Sequence, residues 1–320
     1  MRGLSVLNKD VIWASGTKGT FLWTNDGGTT WNVGTVPGAE SFDFRDVHAV
    51  SPDTVYLMAA GQDTARIYKT TDRGKNWTLQ YNDTRKGVFL DAIAFRDGTH
   101  GVALGDPIDG RFMILRTDNG GASWTQIDSS GLPRALTGEA AFAASGTSLV
   151  THGRTNAWFA TGAGATSRLF ASNDGGTTWT VYTVPVAANA QSKGIFSIAF
   201  WSDTQGVAVG GDYAKPDTTA TTVSTTTDGG KTWAASAPSP ATGYLSGVAT
   251  IVGTQDGKSA DNNRVHLIGV GTRGTAVSLD GGKSWALRDT VPLNTVAVVP
   301  GTRIVWAVGD RGKIVMRSDL

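Results

Sequence analysis

The sequence predicts an all-β chain in which seven four-stranded antiparallel units close into a β-propeller. Three observations predict it. A short refrain ending in tryptophan recurs from one end of the chain to the other. Its period is near fifty residues. Each interval between refrains carries short β-branched and aromatic runs bounded by Gly, Asp, Asn and Pro, with no helical periodicity of useful length.

The refrain first reads Thr24-Asn25-Asp26-Gly27-Gly28-Thr29-Thr30-Trp31. It returns at Thr70 to Trp77, Thr117 to Trp124, Ser172 to Trp179, Thr226 to Trp233 and Ser278 to Trp285, and a seventh copy is cut short at Arg317-Ser318-Asp319-Leu320. Successive tryptophans lie 46, 47, 55, 54 and 52 residues apart. A fixed motif at such a period is one supersecondary unit repeated. Each unit needs its neighbours to bury its faces, so the 320 residues are read as one domain. The approximate blades are 1–37, 38–83, 84–130, 131–186, 187–238, 239–289 and 290–320.

Unit two shows the plan: first strand Arg45 to Val50, second Thr54 to Ala59, third Arg66 to Thr71, fourth Trp77 to Tyr81. The second strands form a column that includes Val11-Ile12-Trp13-Ala14, Val55-Tyr56-Leu57-Met58, Ala157-Trp158-Phe159-Ala160 and Ile304-Val305-Trp306-Ala307. These runs are apolar without strict alternation, as strands packed on both faces should be. The refrain fits the turn between third and fourth strands. There the Asp carboxylate can accept from the turn's own amides, the glycines allow positive φ, and the Trp starts the outer strand and packs between blades. Asn119 stands where the other copies have Asp, and its amide oxygen can still accept, so that turn should survive. The last blade shows three strands and no fourth, and residues preceding Met1 in the natural protein are expected to supply it.

Composition narrows the function. Glycine, at 42 residues, is near double its usual share and falls mostly at turns. Net charge is +1 with no basic run, which argues against nucleic-acid binding. No apolar stretch of 18 residues suggests a membrane span. Cysteine is absent, which excludes disulfides, thiol catalysis and thiolate metal sites. No signal peptide precedes the first strand pattern. An extracytoplasmic location, periplasmic or secreted, is nonetheless expected, with a leader absent from this sequence.

The pattern Ser/Thr-x-Asp-x-Gly-x-x-Trp is similar to the Asp-box, or BNR, repeat of sialidases, sortilin-type receptors and xyloglucanases. Beyond the boxes, Gly105-Asp106-Pro107-Ile108-Asp109-Gly110-Arg111-Phe112, Gly138 to Gly146, Gly210-Gly211-Asp212-Tyr213 and Trp306-Ala307-Val308-Gly309-Asp310-Arg311-Gly312 resemble proteins of the photosystem II stability/assembly factor type. The resemblance covers almost the whole chain. It implies a seven-bladed propeller that assists assembly or binds a partner. Such relatives often carry an oxidoreductase label, but no Gly-x-Gly-x-x-Gly lies between a strand and a helix here to support it.

Binding groups are expected on the face opposite the Asp-box turns, in loops between blades and between second and third strands. The candidate ligand-binding residues there are Arg45, Asp106, Asp109, Arg111, Asp212, Tyr213, Arg273, Asp310 and Arg311. Asp46, Asp91 and Glu139 each stand immediately before the apolar part of a first strand, where other blades have Gly3, Ser197, Ser246 and Thr295. First strands line the central channel, so three consecutive blades would set carboxylates on one side of its mouth. Clustered acids raise one another's pKa, which suits acid–base work, and a glycosidase needs such a pair. The other assignment is that these acids cap strand ends, bind backbone amides or pair with arginines. A sialidase-like mechanism would want a Tyr nucleophile, and no spacing marks Tyr213 or Tyr244 as one.

The run from Asp106 to Arg111 has too few carboxylates for a calcium loop and reads as a polar turn. His48, His100, His152 and His266 show no metal spacing. No metal or cofactor is therefore expected. The leading reading is a non-enzymatic binding or assembly scaffold, monomeric, taking a protein or a polar or carbohydrate ligand at the channel mouth. The alternative is a glycoside hydrolase or polysaccharide lyase using Asp46, Asp91 and Glu139 with Arg45 or Arg111. A third option is a purely structural repeat module.

Overall fold

The computed structural model describes residues 1–217, 220–251 and 265–318. It holds six four-stranded sheets and one three-stranded sheet, each with its strands in chain order and antiparallel. This is the seven-bladed propeller that the refrain predicts. In blade two the strands are Phe44–Ala49, Val55–Gly61, Thr64–Thr70 and Thr78–Asp83, close to the sequence expectation. Blade seven comprises Thr295–Val298, Val305–Val308 and Ile314–Arg317, three strands among the described residues. The shortened seventh refrain ends in 319–320, outside the described residues.

The core is a set of layers between consecutive blades rather than one mass. Trp13 and Phe21 of blade one pack with Leu57 and Tyr68 of blade two. Tyr56 and Ile67 of blade two pack with Leu90 and Met113 of blade three. Leu104 and Ile114 pack with Phe159 and Phe170 of blade four. Adjacent residues of a second strand, such as Tyr56 and Leu57, thus enter opposite layers, which is why those runs are apolar on both faces. The ring closes where Ile12, Ala14 and Leu22 of blade one meet Trp306 and Val308 of blade seven. The Met1 amino group adds a 3.0 Å hydrogen bond to the Gly309 carbonyl at this seam.

The refrain is the turn between third and fourth strands. In blade one, Asp26 Oδ1 accepts from the Thr30 amide at 2.9 Å and Asp26 Oδ2 from the Thr30 hydroxyl at 2.6 Å. The Thr24 hydroxyl donates to Asp26 Oδ1 and accepts from the Gly28 amide. Gly27 and Gly28 have φ of 66° and 83°. In blade three, Asn119 Oδ1 accepts from the Ser123 amide at 3.0 Å while its amide nitrogen donates to the Ser123 hydroxyl, so the turn is kept. The box tryptophans sit in the layers: Trp77 of blade two lies 5.1 Å from Phe21 of blade one, and Trp31 of blade one lies 5.8 Å from Trp306 of blade seven.

Blade four departs from the sequence reading. Its first strand is Leu149–His152, about ten residues after Glu139-Ala140-Ala141. Glu139 therefore does not begin a first strand. Ala140 instead makes an isolated bridge to Gly162. The intervening segment, 143–148, crosses the interior of the ring. The Ser145 carbonyl accepts from the Thr295 hydroxyl of blade seven at 3.0 Å. Thr147 Oγ1 meets Ser197 Oγ of blade five at 2.6 Å, and its carbonyl accepts from the Ile198 amide. Gly146, at φ 76°, abuts the Asp46 carboxylate of blade two so closely that a Cβ would lie 2.5 Å from Asp46 Cγ. The centre of the propeller is thus filled by the chain's own backbone.

Candidate binding site at the channel mouth

Above that filling lies an open recess of about 520 Å³. Its rim is built by first strands. In blades two, three and five the first strand carries a β-bulge against the second. Phe44 pairs Ala59 and Asp46 pairs Met58, which leaves Arg45 extra. Leu90 pairs Gly105 and Ala92 pairs Leu104, which leaves Asp91 extra. Ile195 pairs Gly210 and Ser197 pairs Val209, which leaves Phe196 extra. A bulge re-aims one residue, and Arg45, Asp91 and Phe196 all line the recess. Arg2, Ser246 and Asn294, whose amides bond the ends of their own second strands, complete the rim from blades one, six and seven.

The equivalence drawn in sequence between Asp46 and Asp91 is therefore off by one residue. Asp46 occupies the ladder position of Ala92 and Ser197 and points inward. Its two oxygens accept from the Val47 and Ile93 amides at 2.8 and 2.9 Å, tying blade two to blade three. Burial raises its pKa to about 7 against the pull of those amides. Glu139 is fully buried and pairs with Arg168, with further bonds from the Thr161 hydroxyl at 2.6 Å and the Leu136 amide at 2.7 Å. Of the three acids grouped in sequence, Asp91 alone lines the recess.

Among the ligand-binding candidates, Arg45, Asp106, Tyr213 and Asp310 line the recess. Asp106 Oδ1 accepts from the Ala141 amide at 3.0 Å. Asp310 Oδ1 accepts from Asn294 Nδ2 at 2.8 Å. The other five do not line it. Asp212 closes a local turn on the Ala214 amide. Asp109 and Arg311 occupy exposed positive-φ turn positions. The Arg111 guanidinium bonds the Leu132 carbonyl, and Arg273 pairs with Asp217 at 3.0 Å. The loop face was legible from the position of the boxes. Arg2 and the aromatic wall were not, since Phe142 and Phe196 read as ordinary strand residues.

That wall is continuous. Phe142 stacks on Phe196 at 3.9 Å, and Tyr244 meets Phe196 edge-on at 4.8 Å. Tyr213, half exposed, stands edge-on to both Phe196 and Tyr244. Asp91 and Asp106 line the same recess. Burial raises Asp91 well above the carboxylate range, the Asp106 charge adds to this, and Arg45 opposes it. Asp106 is raised as well, chiefly by burial. Arg45 has a distant ion pair, 3.9 Å to Asp43, and its Nε is buried without a hydrogen-bond partner among the described residues. The recess thus offers cations, acids whose pKa values are raised, and ring faces.

No protein-family model matches the chain, and no curated protein does. Solved structures do. YCF48 bound to D1 peptide superposes with a TM-score of 0.65 at 17% identity, over 99% of this chain and 92% of that one. YCF48 from Cyanidioschyzon merolae gives 0.60 at 19% identity, over 98% and 94%. A chain of the mitotic checkpoint complex gives 0.60 at 10% identity, over 99% and 86%. At these identities the likeness is one of fold, and it bears out the resemblance read in the sequence: the chain is a seven-bladed propeller similar to the photosystem II assembly factor YCF48.

Proposed function

We propose that this chain is a non-enzymatic binding propeller that takes an extended segment of a partner protein in the recess at its channel mouth. The observation that carries the reading is the make-up of the recess. Two arginines, an aromatic wall with a half-exposed Tyr213, and hydrogen-bonding groups from several blades line one open hollow. Such a mixture suits a peptide, which offers backbone amides and varied side chains. A YCF48 structure carries a D1 peptide, which supports a peptide as the class of ligand for this fold.

The hydrolase reading loses its constellation. Asp46 is consumed by two backbone amides and Glu139 by Arg168. Asp91 has Asp106 beside it, not the pair drawn in sequence.

Immobilised chain should retain a specific protein from its native host, and Tyr213→Ala with Arg45→Ala should release it. Equal retention by the variant would refute the recess as the site. A screen of oligosaccharides should give no turnover, and turnover abolished by Asp91→Asn would restore the enzyme reading. The same reading takes the chain to act as a monomer outside the cytoplasm, which light scattering and cell fractionation test.

A further inference from the structure

We infer that the recess receives a cationic side chain of the partner, a guanidinium or an ammonium, on the paired carboxyls of Asp91 and Asp106. This rests on the peptide-binding reading and deepens it. Asp91 is only 1% exposed, yet it lines the recess. Its Oδ2 is buried with no hydrogen-bond partner among the described residues. A buried carboxyl oxygen without a partner is costly, so native structures rarely leave one unless something else supplies the partner. Asp106 lends one oxygen to the Ala141 amide. Neither carboxyl has an ion-pair partner within 4.0 Å among the described residues.

The charged groups around the pair do not serve as that partner. Arg45, the cation whose charge acts on Asp91, makes its ion pair with Asp43. Arg2 acts on Arg45 by repulsion, and Asp310 accepts from Asn294. Tyr213 and Tyr244 belong to the aromatic wall. The remaining lining near the acids is apolar, with Phe89, Ala141 and Phe142. That lining suits the methylene stem of Lys or Arg, with its charged head on the acids. Two acids with raised pKa values lining one recess form a proton-linked site for a cation. An entering cation favours the ionised form and so competes with protons for the two carboxyls. Affinity should therefore climb as pH rises through the acids' elevated range and level off above it, by about tenfold per pH unit for each proton released.

The test is selection of a random extended-peptide library on the intact chain and on Asp91→Asn/Asp106→Asn. The wild type should enrich Lys or Arg at one fixed position. The variant should lose that preference while keeping the preferences at the other positions. In a selected peptide, Arg→citrulline should weaken binding to wild type by about thirtyfold or more and should scarcely affect binding to the variant. The single variant Asp106→Asn, at a partly exposed site, guards against misfolding, and circular dichroism checks both variants. Basic enrichment that survives in the double variant, or peptides enriched with no basic position, would overturn the inference and leave the peptide-binding reading standing. A library from which wild type enriches nothing would overturn that reading too.

Discussion

Gly146→Ala should be among the most destabilising single-methyl changes in the chain. Gly146 sits at φ 76° inside the ring, and an added Cβ would fall 2.5 Å from Asp46 Cγ. Two costs follow. The left-handed backbone costs a non-glycine residue about 1–2 kcal/mol. The carboxylate must also move, and it holds the Val47 and Ile93 amides. Stranding those two buried donors costs about 1–3 kcal/mol each. The sum is about 3–8 kcal/mol, a large part of the roughly 5–15 kcal/mol that stabilises a typical domain. Gly38→Ala is the control, because Gly38 has φ 77° and nothing within 4 Å of the added Cβ. It should cost only the backbone share. Guanidinium unfolding followed by tryptophan fluorescence measures both, provided the denaturant slopes match. Asp46→Ala removes the obstruction, so the Asp46→Ala/Gly146→Ala double variant should lose less than the sum of the two single losses. If Gly146→Ala proved no worse than Gly38→Ala, the packing of 143–148 against blade two would be refuted.

Arg168→Met should cost about 3–5 kcal/mol by leaving the buried Glu139 without its cation, and Glu139→Gln in the same chain should recover part of that; equal losses in single and double variants would count against the pair. Ser172→Ala in the fourth Asp-box should cost about 1–2 kcal/mol, since Ser172 Oγ accepts from the Gly176 amide and donates to Asp174, and an unchanged unfolding midpoint would contradict this. Asp46 is raised from 3.8 to about 7, so the native state holds a proton that the unfolded chain releases. Its contribution to stability is complete below about pH 4 and is lost as pH rises through about 7. Asp46→Asn should flatten the stability profile over that window, and an unchanged slope would exclude Asp46 as its source.

The architecture was legible because one turn recurs with its chemistry intact. Asp26 and Asn119 close their turns on equivalent backbone amides, and glycines provide the positive φ beside them. The same turns told the two faces apart. The site was less legible because a bulge leaves no mark in composition. Arg45-Asp46-Val47 and Leu90-Asp91-Ala92 invite alignment of their acids, but the extra residue shifts the count by one. A shift of one sends a side chain to the other face of a strand, so Asp46 went inward and Asp91 to the mouth. Blade four misled for a different reason. Glu139-Ala140-Ala141 looks like a strand start, and nothing in the local pattern says that the chain then crosses the ring before pairing at Leu149.

An open array of repeats can fray from its ends, because each unit touches only the next. Closure of blade one on blade seven denies this chain free ends, and the crossing segment ties the ring across its middle as well. That segment is a hub from which hydrogen bonds run to Ser197 and Thr295, with the Asp46 carboxylate wedged beside it. Blades two, five and seven are not neighbours, yet each loses a contact when blade four loosens. Amide exchange in their first strands should therefore report one shared opening event instead of a gradient along the sequence.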